Sequence, residues 1–534
     1  MKQFIKFIPA LLLPVILFSC AKKLDLFPQN DLTSEKVYAS AAGYKSVLAK
    51  IYGTLSITGN QGPAGQPDIG GGLDEGSQVA FIRMFFNCQE LPTDEAVVAW
   101  NDQTIQNFHA MRWNSEDPFL KGIYARPIYN ITLINEYLRE SADDKLASRG
   151  ISGAEADDIK KSRAEVRFLR AFNYWVMMDL FGKSTFITED NLVGTDLPNE
   201  INRADLFKYI ESELLAVETQ LATVKTIEYG RVDQGADWAL LARLYLNAQV
   251  YTGTPKWTEA ITYAKKAIGG GYSLQNNYAQ LFMADNDKRK DEFLFAINCD
   301  GLKTQAYGNT TFLAHGAAGD DFSYYGMGGG WYGYRATKGL ADKFSDLSGG
   351  TDKRALFTTP NFGTSPTQVA ISDVTNFANG LHVAKWRNVR SDGAPVSDPT
   401  KDFSDIDFPV FRLSEMYLIY AEAVLRGGTG GDNATAVTYI NNIRQRAYGN
   451  TSGNITSAQL NLQFILDERA RELYWEGHRR TDLIRYGLLT SGTYLWPWKG
   501  GIATGSAVND RYNIFPIPAE NRTANPKLTQ NLDY

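Results

Sequence analysis

Apolar residues recur every three to four positions through two long tracts, about 35–280 and about 410–490, and that period predicts a helical frame. Between them, about 285–405, Gly, Asp, Ser and aromatic residues crowd together without a sustained period, which predicts loops and short strands laid over the frame. The frame repeats. Trp238-x-x-Leu241-Ala242-x-x-Tyr245 has the pattern of the first helix of a tetratricopeptide unit, in which a small residue lets two helices approach closely. Ala260-x-x-x-Ala264-x-x-Ala267 has the pattern of the second, displaced by an insertion around Gly253-Thr254-Pro255. Another copy reads Tyr417-x-x-Tyr420-Ala421-x-x-Val424, then Ala436-x-x-x-Ile440-x-x-Ile443. The glycines between 427 and 431 should stop one helix, and Asp432 should cap the next. A third helix, Val166 to Gly182, shows the same small-then-aromatic signature at Ala171 and Tyr174. Each pair needs a stacked neighbour to cover its apolar face. The expected fold is mainly α, built on tetratricopeptide-type helix pairs with a loop-rich, partly β excursion. Such a scaffold leaves function open.

The start of the chain carries an address. Lys2 and Lys6 precede an apolar run, Phe7 to Phe18, broken by Pro9 and Pro14. The run is too short and too proline-broken to span a membrane, and it reads as a signal peptide over residues 1–19 rather than a buried N-terminal helix. Leu17-Phe18-Ser19-Cys20 resembles a bacterial lipobox, although Phe18 is bulkier than is usual there. That resemblance makes Cys20 a lipidated mature N-terminus, held to a membrane by several acyl chains. No other apolar stretch is long enough to cross a bilayer.

The net charge of −6 is mild for 534 residues, and no basic stripe is available to neutralise phosphates, which argues against nucleic acid. Cys88 and Cys299 make neither a disulfide scaffold nor a metal-ligand spacing, and whether they bond to each other is left open. His109, His315, His382 and His478 stand singly and read as ordinary structural residues. Asp68, Asp74 and Glu75 fail the spacing of a calcium loop and read as turn residues. No cofactor is expected, with room left for a structural calcium elsewhere.

Several segments, in order along the chain, resemble one family. They are Leu24-Asp25-x-x-Pro28, Ala164-Glu165-Val166-Arg167-Phe168-Leu169-Arg170-Ala171 through Gly182, Asp467-Glu468-Arg469-Ala470-Arg471-Glu472 through Arg485, and Phe515-Pro516-Ile517-Pro518 followed by Asn525-Pro526. Together they resemble the SusD/RagB family of Bacteroidetes outer-membrane lipoproteins. The segment 467–485 reads as one scaffold helix. Its Arg and Glu/Asp residues recur at spacings of three and four, where opposite charges lie side by side. Neighbours on one helix cannot face each other across a cleft as the two acids of a glycosidase must.

Within the family, Phe81-Ile82-Arg83, Glu90 to Ala96, Lys385-Trp386-Arg387-Asn388 and Tyr494 to Gly501 are most similar to its starch-binding branch. There an aromatic arc follows the curve of an α-glucan. The matching positions are Arg83, Trp100, Tyr307 and Trp331, with Gln103 where the relative has an Asn. Rings cover the C–H face of a pyranose, and a guanidinium or an amide satisfies its hydroxyl rim. Trp331, between Gly328-Gly329-Gly330 and Tyr332-Gly333-Tyr334, is poorly placed to fill a core. Tyr324, Tyr325 and Tyr332 are further candidate contacts. The resemblance implies a non-catalytic lipoprotein on the outside of the cell outer membrane, residues 20–534 forming its glycan-binding domain. It would pass starch or maltooligosaccharides to a SusC-like TonB-dependent transporter. The competing readings are another glucan or a fructan, a glycosidase, and a protein-binding tetratricopeptide adaptor.

Overall fold

The computed structural model describes residues 33–63, 65–191, 194, 196–358 and 369–534. The expected signal peptide, Cys20 and the Leu24 to Pro28 stretch lie outside the described residues. The first tract supplies α1 (Ala41–Gly53), α2 (Glu75–Gln78), α3 (Phe81–Glu90), α4 (Pro118–Glu140), α5 (Gly153–Phe181), α6 (Arg203–Val217), α7 (Gln234–Leu246) and α8 (Trp257–Ile268). The excursion adds α9 (Thr310–Ala317), and the second tract supplies α10 (Leu413–Leu425), α11 (Asn433–Tyr448), α12 (Leu462–Leu473) and α13 (Arg479–Arg485).

The helix pairs form for the reasons their sequences suggest. Asp233 caps α7 by accepting from the Gly235 and Ala236 amides, and Asp432 caps α11 by accepting from Thr435 N–H at 2.8 Å. Ala239 and Ala242 on α7, and Ala260, Ala264 and Ala267 on α8, are fully buried, so the two backbones approach closely. Helix α8 in turn packs on α10, and α10 on α11, where Tyr417 and Tyr439 stack at 4.5 Å and 3°. The third helix is longer than expected. It begins at Gly153, and its polar first half, with Asp157, Asp158, Lys160 and Lys161, buries only Ala156 and Ile159 before Ser162. From Ala164 almost every side chain is buried, because α5 lies between α4 and α6. Each large apolar side chain there contributes roughly 1.5–3 kcal/mol of burial.

The excursion is tied to the frame by two short antiparallel ladders. Strand β1 (Ala96–Val98) pairs with β3 (Tyr334–Ala336), and β2 (Phe293–Ile297) pairs with β4 (Phe408–Arg412). The β1–β3 register, Ala96 opposite Ala336 and Val98 opposite Tyr334, brings residues just beyond 98 beside those just before 334.

The segment 467–485 departs from the expected single helix. Helix α12 stops at Leu473, Trp475 and Gly477 take left-handed φ of 61° and 83°, and α13 starts at Arg479. Tertiary contacts outweigh helix propensity at the break. Glu90 Oε1 accepts from Gly477 N–H at 2.6 Å, and Trp475 Nε1 donates to Glu95 O at 3.3 Å. The charges therefore pair mostly across elements rather than along one helix. Arg412 reaches Glu292 and Glu476 at 2.7 Å and Glu472 at 3.0 Å. Arg354 reaches Glu468 at 2.8 Å, Lys385 reaches Glu476 at 2.7 Å, and Arg479 reaches Asp94 at 2.6 Å. All these groups are buried, so the network is a structural core, as its scaffold reading implied, but a dry one.

Cys88 and Cys299 are buried free thiols, and burial pushes the Cys299 thiol up to about 11. Asp68 lies at a bend and accepts from Lys50 Nζ at 2.6 Å, whereas Asp74 caps α2 and Glu75 is its first residue, so two of the three expected turn acids instead start a helix. Among the described residues, no group of three or more His, Cys, Asp or Glu is arranged to hold a metal, and no helix is long and apolar enough to cross a membrane.

Candidate functional site

Beyond β1, Ala99 N–H donates to Gly333 O at 2.8 Å, extending the contact between the two strands toward Trp100 and Trp331. Trp100 Nε1 then donates to Trp331 O at 3.0 Å, and the Tyr334 ring meets the indole at 5.1 Å and 75°. Gly333 is required here, because a Cβ on it would lie 2.2 Å from Trp100 Cε2. The Tyr307 ring continues the surface, 6.2 Å from that of Trp331 and 5.1 Å from Phe403. Three rings from distant stretches of chain are thus brought together. Each is half-buried, with Trp100 and Trp331 packed against the core. That is the geometry of an aromatic platform.

Arg83, on α3, lies behind the rings. Its guanidinium is 5.5 Å from the Trp100 ring and 4.7 Å from the Phe312 ring, and its Nη1 donates to Gly76 O at 2.9 Å. Its Nε is buried with no hydrogen-bond partner among the described residues. Burial lowers its pKa from the ordinary value, and a guanidinium stays protonated in proteins. Gln103 stands exposed on the flank, its Oε1 accepting from Gln78 Nε2 at 2.6 Å. Four of the sequence candidates, Arg83, Trp100, Trp331 and Tyr307, are therefore joined by direct contacts, while Gln103 lies three residues beyond Trp100 and contacts Gln78.

Two contributors escaped the sequence reading. His315, on α9, stacks on Trp331 with centroids 4.4 Å apart and planes 6° apart. Its Nδ1 and Nε2 lie 2.6 and 3.0 Å from the carbonyls of Gly329 and Asp402, and burial holds its pKa below the ordinary value despite them. A neutral imidazole donates to only one of the two at a time. The other is Gln78, whose glutamine side chain carried no signal in sequence. The three extra tyrosines separate. Tyr325 is fully buried with its hydroxyl 3.2 Å from Thr358 Oγ1, which removes it from any exposed surface. Tyr324 is 38% exposed with Arg387 3.8 Å above its ring. Tyr332, beside Trp331, is half-buried with φ of 47°, and burial and Asp320 raise its hydroxyl to about 12.

Near the site, Asp74 caps α2 and Glu75 is held by Thr58. A cavity of about 990 Å³ lies elsewhere, lined by Tyr44, Leu48, Tyr52, Glu165, Arg231 and Phe295 among others. None of the five candidates lines it, and its polar groups bind one another, Tyr52 Oη donating to Glu165 at 2.6 Å. An open platform lets a polymer run past on both sides, which an enclosed cavity does not.

The family model described as the SusD family matches residues 254–534. The chain is 36% identical to the starch-binding protein SusD of Bacteroides thetaiotaomicron, over 97% of this chain and 96% of that protein. Among solved structures, a laminarin-binding SusD-like protein superposes with a TM-score of 0.68 at 20% identity, covering 92% of this chain and 99% of the other. The surface glycan-binding protein A of Bacteroides fluxus does so with a TM-score of 0.68 at 19% identity, covering 93% and 100%. The chain belongs to the SusD family and is a non-catalytic, glycan-binding protein of that family's fold.

Proposed function

We propose that this chain captures starch-type α-glucans on the Trp100–Trp331–Tyr307 platform and passes them, uncut, to a SusC-like TonB-dependent transporter. In this reading it is held in the outer membrane through acylated Cys20 and faces the cell exterior. The observation that carries the glycan assignment is the convergence of three half-buried rings backed by the buried Arg83 guanidinium, with the exposed amide of Gln103 three residues beyond Trp100. Rings stack on the C–H faces of successive sugars, while the flank satisfies their hydroxyls. The full-length similarity to a starch-binding protein supports starch as the glycan. A shallow platform binds an oligosaccharide at millimolar to micromolar strength, about −4 to −8 kcal/mol. A polymer with many equivalent stretches, met by many anchored copies, gains avidity and is still released.

A second reading, a laminarin-type glucan, is favoured by the solved laminarin binder of the same fold. Native affinity electrophoresis separates the two. Amylopectin in the gel should retard the wild-type protein, and Trp100→Ala and Trp331→Ala should migrate freely while still melting in one cooperative transition, at a lower temperature than wild type because both rings pack on the core. Retardation by laminarin alone would transfer the assignment to that glucan. Equal retardation of wild type and both variants would remove the platform from binding.

A further inference from the structure

An exposed glutamine can offer a ligand either its carbonyl or its amide, and around Gln103 that choice is fixed from the backbone. Asp74 N–H donates to Gln78 Oε1 at 2.9 Å. A backbone N–H cannot accept, so the Gln78 amide has one allowed sense, with Nε2 pointing onward. That Nε2 donates to Gln103 Oε1 at 2.6 Å. With Oε1 turned toward Gln78, the Gln103 side chain presents its NH2, with two donor hydrogens, outward. Gln78 is 2% exposed and closes the short helix that Asp74 caps, so the middle of the relay is buried while Asp74 and Gln103 at its ends are exposed. Gln103 sits at φ of 45°, a left-handed backbone uncommon for a residue with a side chain and sustained only where its surroundings hold it.

We propose that Gln78 is a positioning residue that sets the hydrogen-bonding sense of the platform, holding Gln103 with its amide hydrogens outward. The inference rests on the glycan-binding reading above and deepens it. The exposed side-chain donor on this flank is the Gln103 NH2, so here the protein donates and a glycan hydroxyl oxygen accepts. A free sugar hydroxyl can both donate and accept, so a donating flank reads the oxygen and not its proton. An O-methyl group there still accepts and is tolerated, whereas deletion of the oxygen is not.

The test is Gln78→Glu, measured by calorimetric titration with maltoheptaose and with amylopectin in affinity gels, between pH 4.5 and 7.5. At pH 7.5 the introduced carboxylate cannot donate to Gln103 Oε1. Gln103 then turns its NH2 inward, and affinity falls about tenfold, the worth of one hydrogen bond left unmade. As the carboxyl protonates, its O–H donates to Gln103 Oε1 while its carbonyl still accepts from Asp74 N–H, and affinity returns toward wild type. Asp74 and Glu75 on α2, Arg83 on α3, Arg126 on α4 and Asp102 beside Gln103 face the same corner, so the quantity read is the variant-to-wild-type ratio at each pH. Gln78→Met should be weak at every pH with no acid recovery. A Gln78→Glu protein that binds like wild type at pH 7.5, or is weak without acid recovery, overturns the proposal alone. A wild-type protein that binds no glycan at any pH overturns the function with it.

Discussion

Replacing Trp100 with Phe keeps an aromatic face but removes the indole N–H, and so asks whether the rings of the platform hold one another in place. The hydrogen bond from Trp100 Nε1 to Trp331 O, at 3.0 Å, is half-buried and worth about 1 kcal/mol net. The cation–π contact with Arg83, at 5.5 Å, weakens on a smaller ring by up to about 0.5 kcal/mol. The edge-to-face contact with Tyr334 survives. About 1.5 kcal/mol of preorganisation is therefore lost, and most of it should appear as weaker binding, because Trp331 is freed in a glycine-rich loop. A dissociation constant about tenfold larger is expected by titration calorimetry with maltoheptaose. The melting temperature should fall by no more than about 2 °C, since the change is small for a chain of this size. A variant that binds within twofold of wild type, while Trp100→Ala does not bind, would refute the coupling and leave Trp100 as an isolated ring.

Gly333→Ala places a Cβ 2.2 Å from the Trp100 indole. It should displace that ring, cost about 1–3 kcal/mol in a denaturation curve, and abolish retardation in amylopectin gels. His315→Ala removes the ring stacked on Trp331; a stack worth about 0.5–1.5 kcal/mol should reappear as a three- to tenfold affinity loss, and unchanged affinity would contradict its role. Arg412→Met leaves Glu292, Glu472 and Glu476 without their shared cation and should cost about 3–5 kcal/mol in urea unfolding. The buried neighbours Glu90 and Glu95 are both raised, by burial first, Glu95 to about 7. A carboxyl raised in the fold favours its protonated form there, so its stabilisation is full below the unfolded value near 4.5 and is lost as pH rises through about 7. Glu95→Gln should therefore flatten the decline in melting temperature between pH 5 and 8, and an unchanged profile would contradict the assignment.

The repeating frame was legible because its signals are local: alanines at helical spacing, Asp432 ahead of α11, and glycines that end α10. The long start of α5 was not, because its polar residues outnumber the two apolar positions that dock it. The break at 474–478 was hidden for the opposite reason. Its determinants, Glu90 and Glu95, are distant in sequence, and spacing alone favours a continuous helix. At the candidate site, rings beside glycines marked Trp331 as unsuited to a core, and family likeness supplied the rest. The stacking of His315, on α9, and the relay through Gln78, on α2, depend on how these helices meet distant loops, which no spacing within either segment records.

The most direct measurement is the structure of a crystal grown or soaked with maltoheptaose. The account predicts consecutive glucose rings lying on Trp100, Trp331 and Tyr307, with hydroxyl oxygens accepting from the Gln103 amide. Sugar found instead in the cavity beside Tyr52 and Arg231, or on another face with these rings bare, would contradict it.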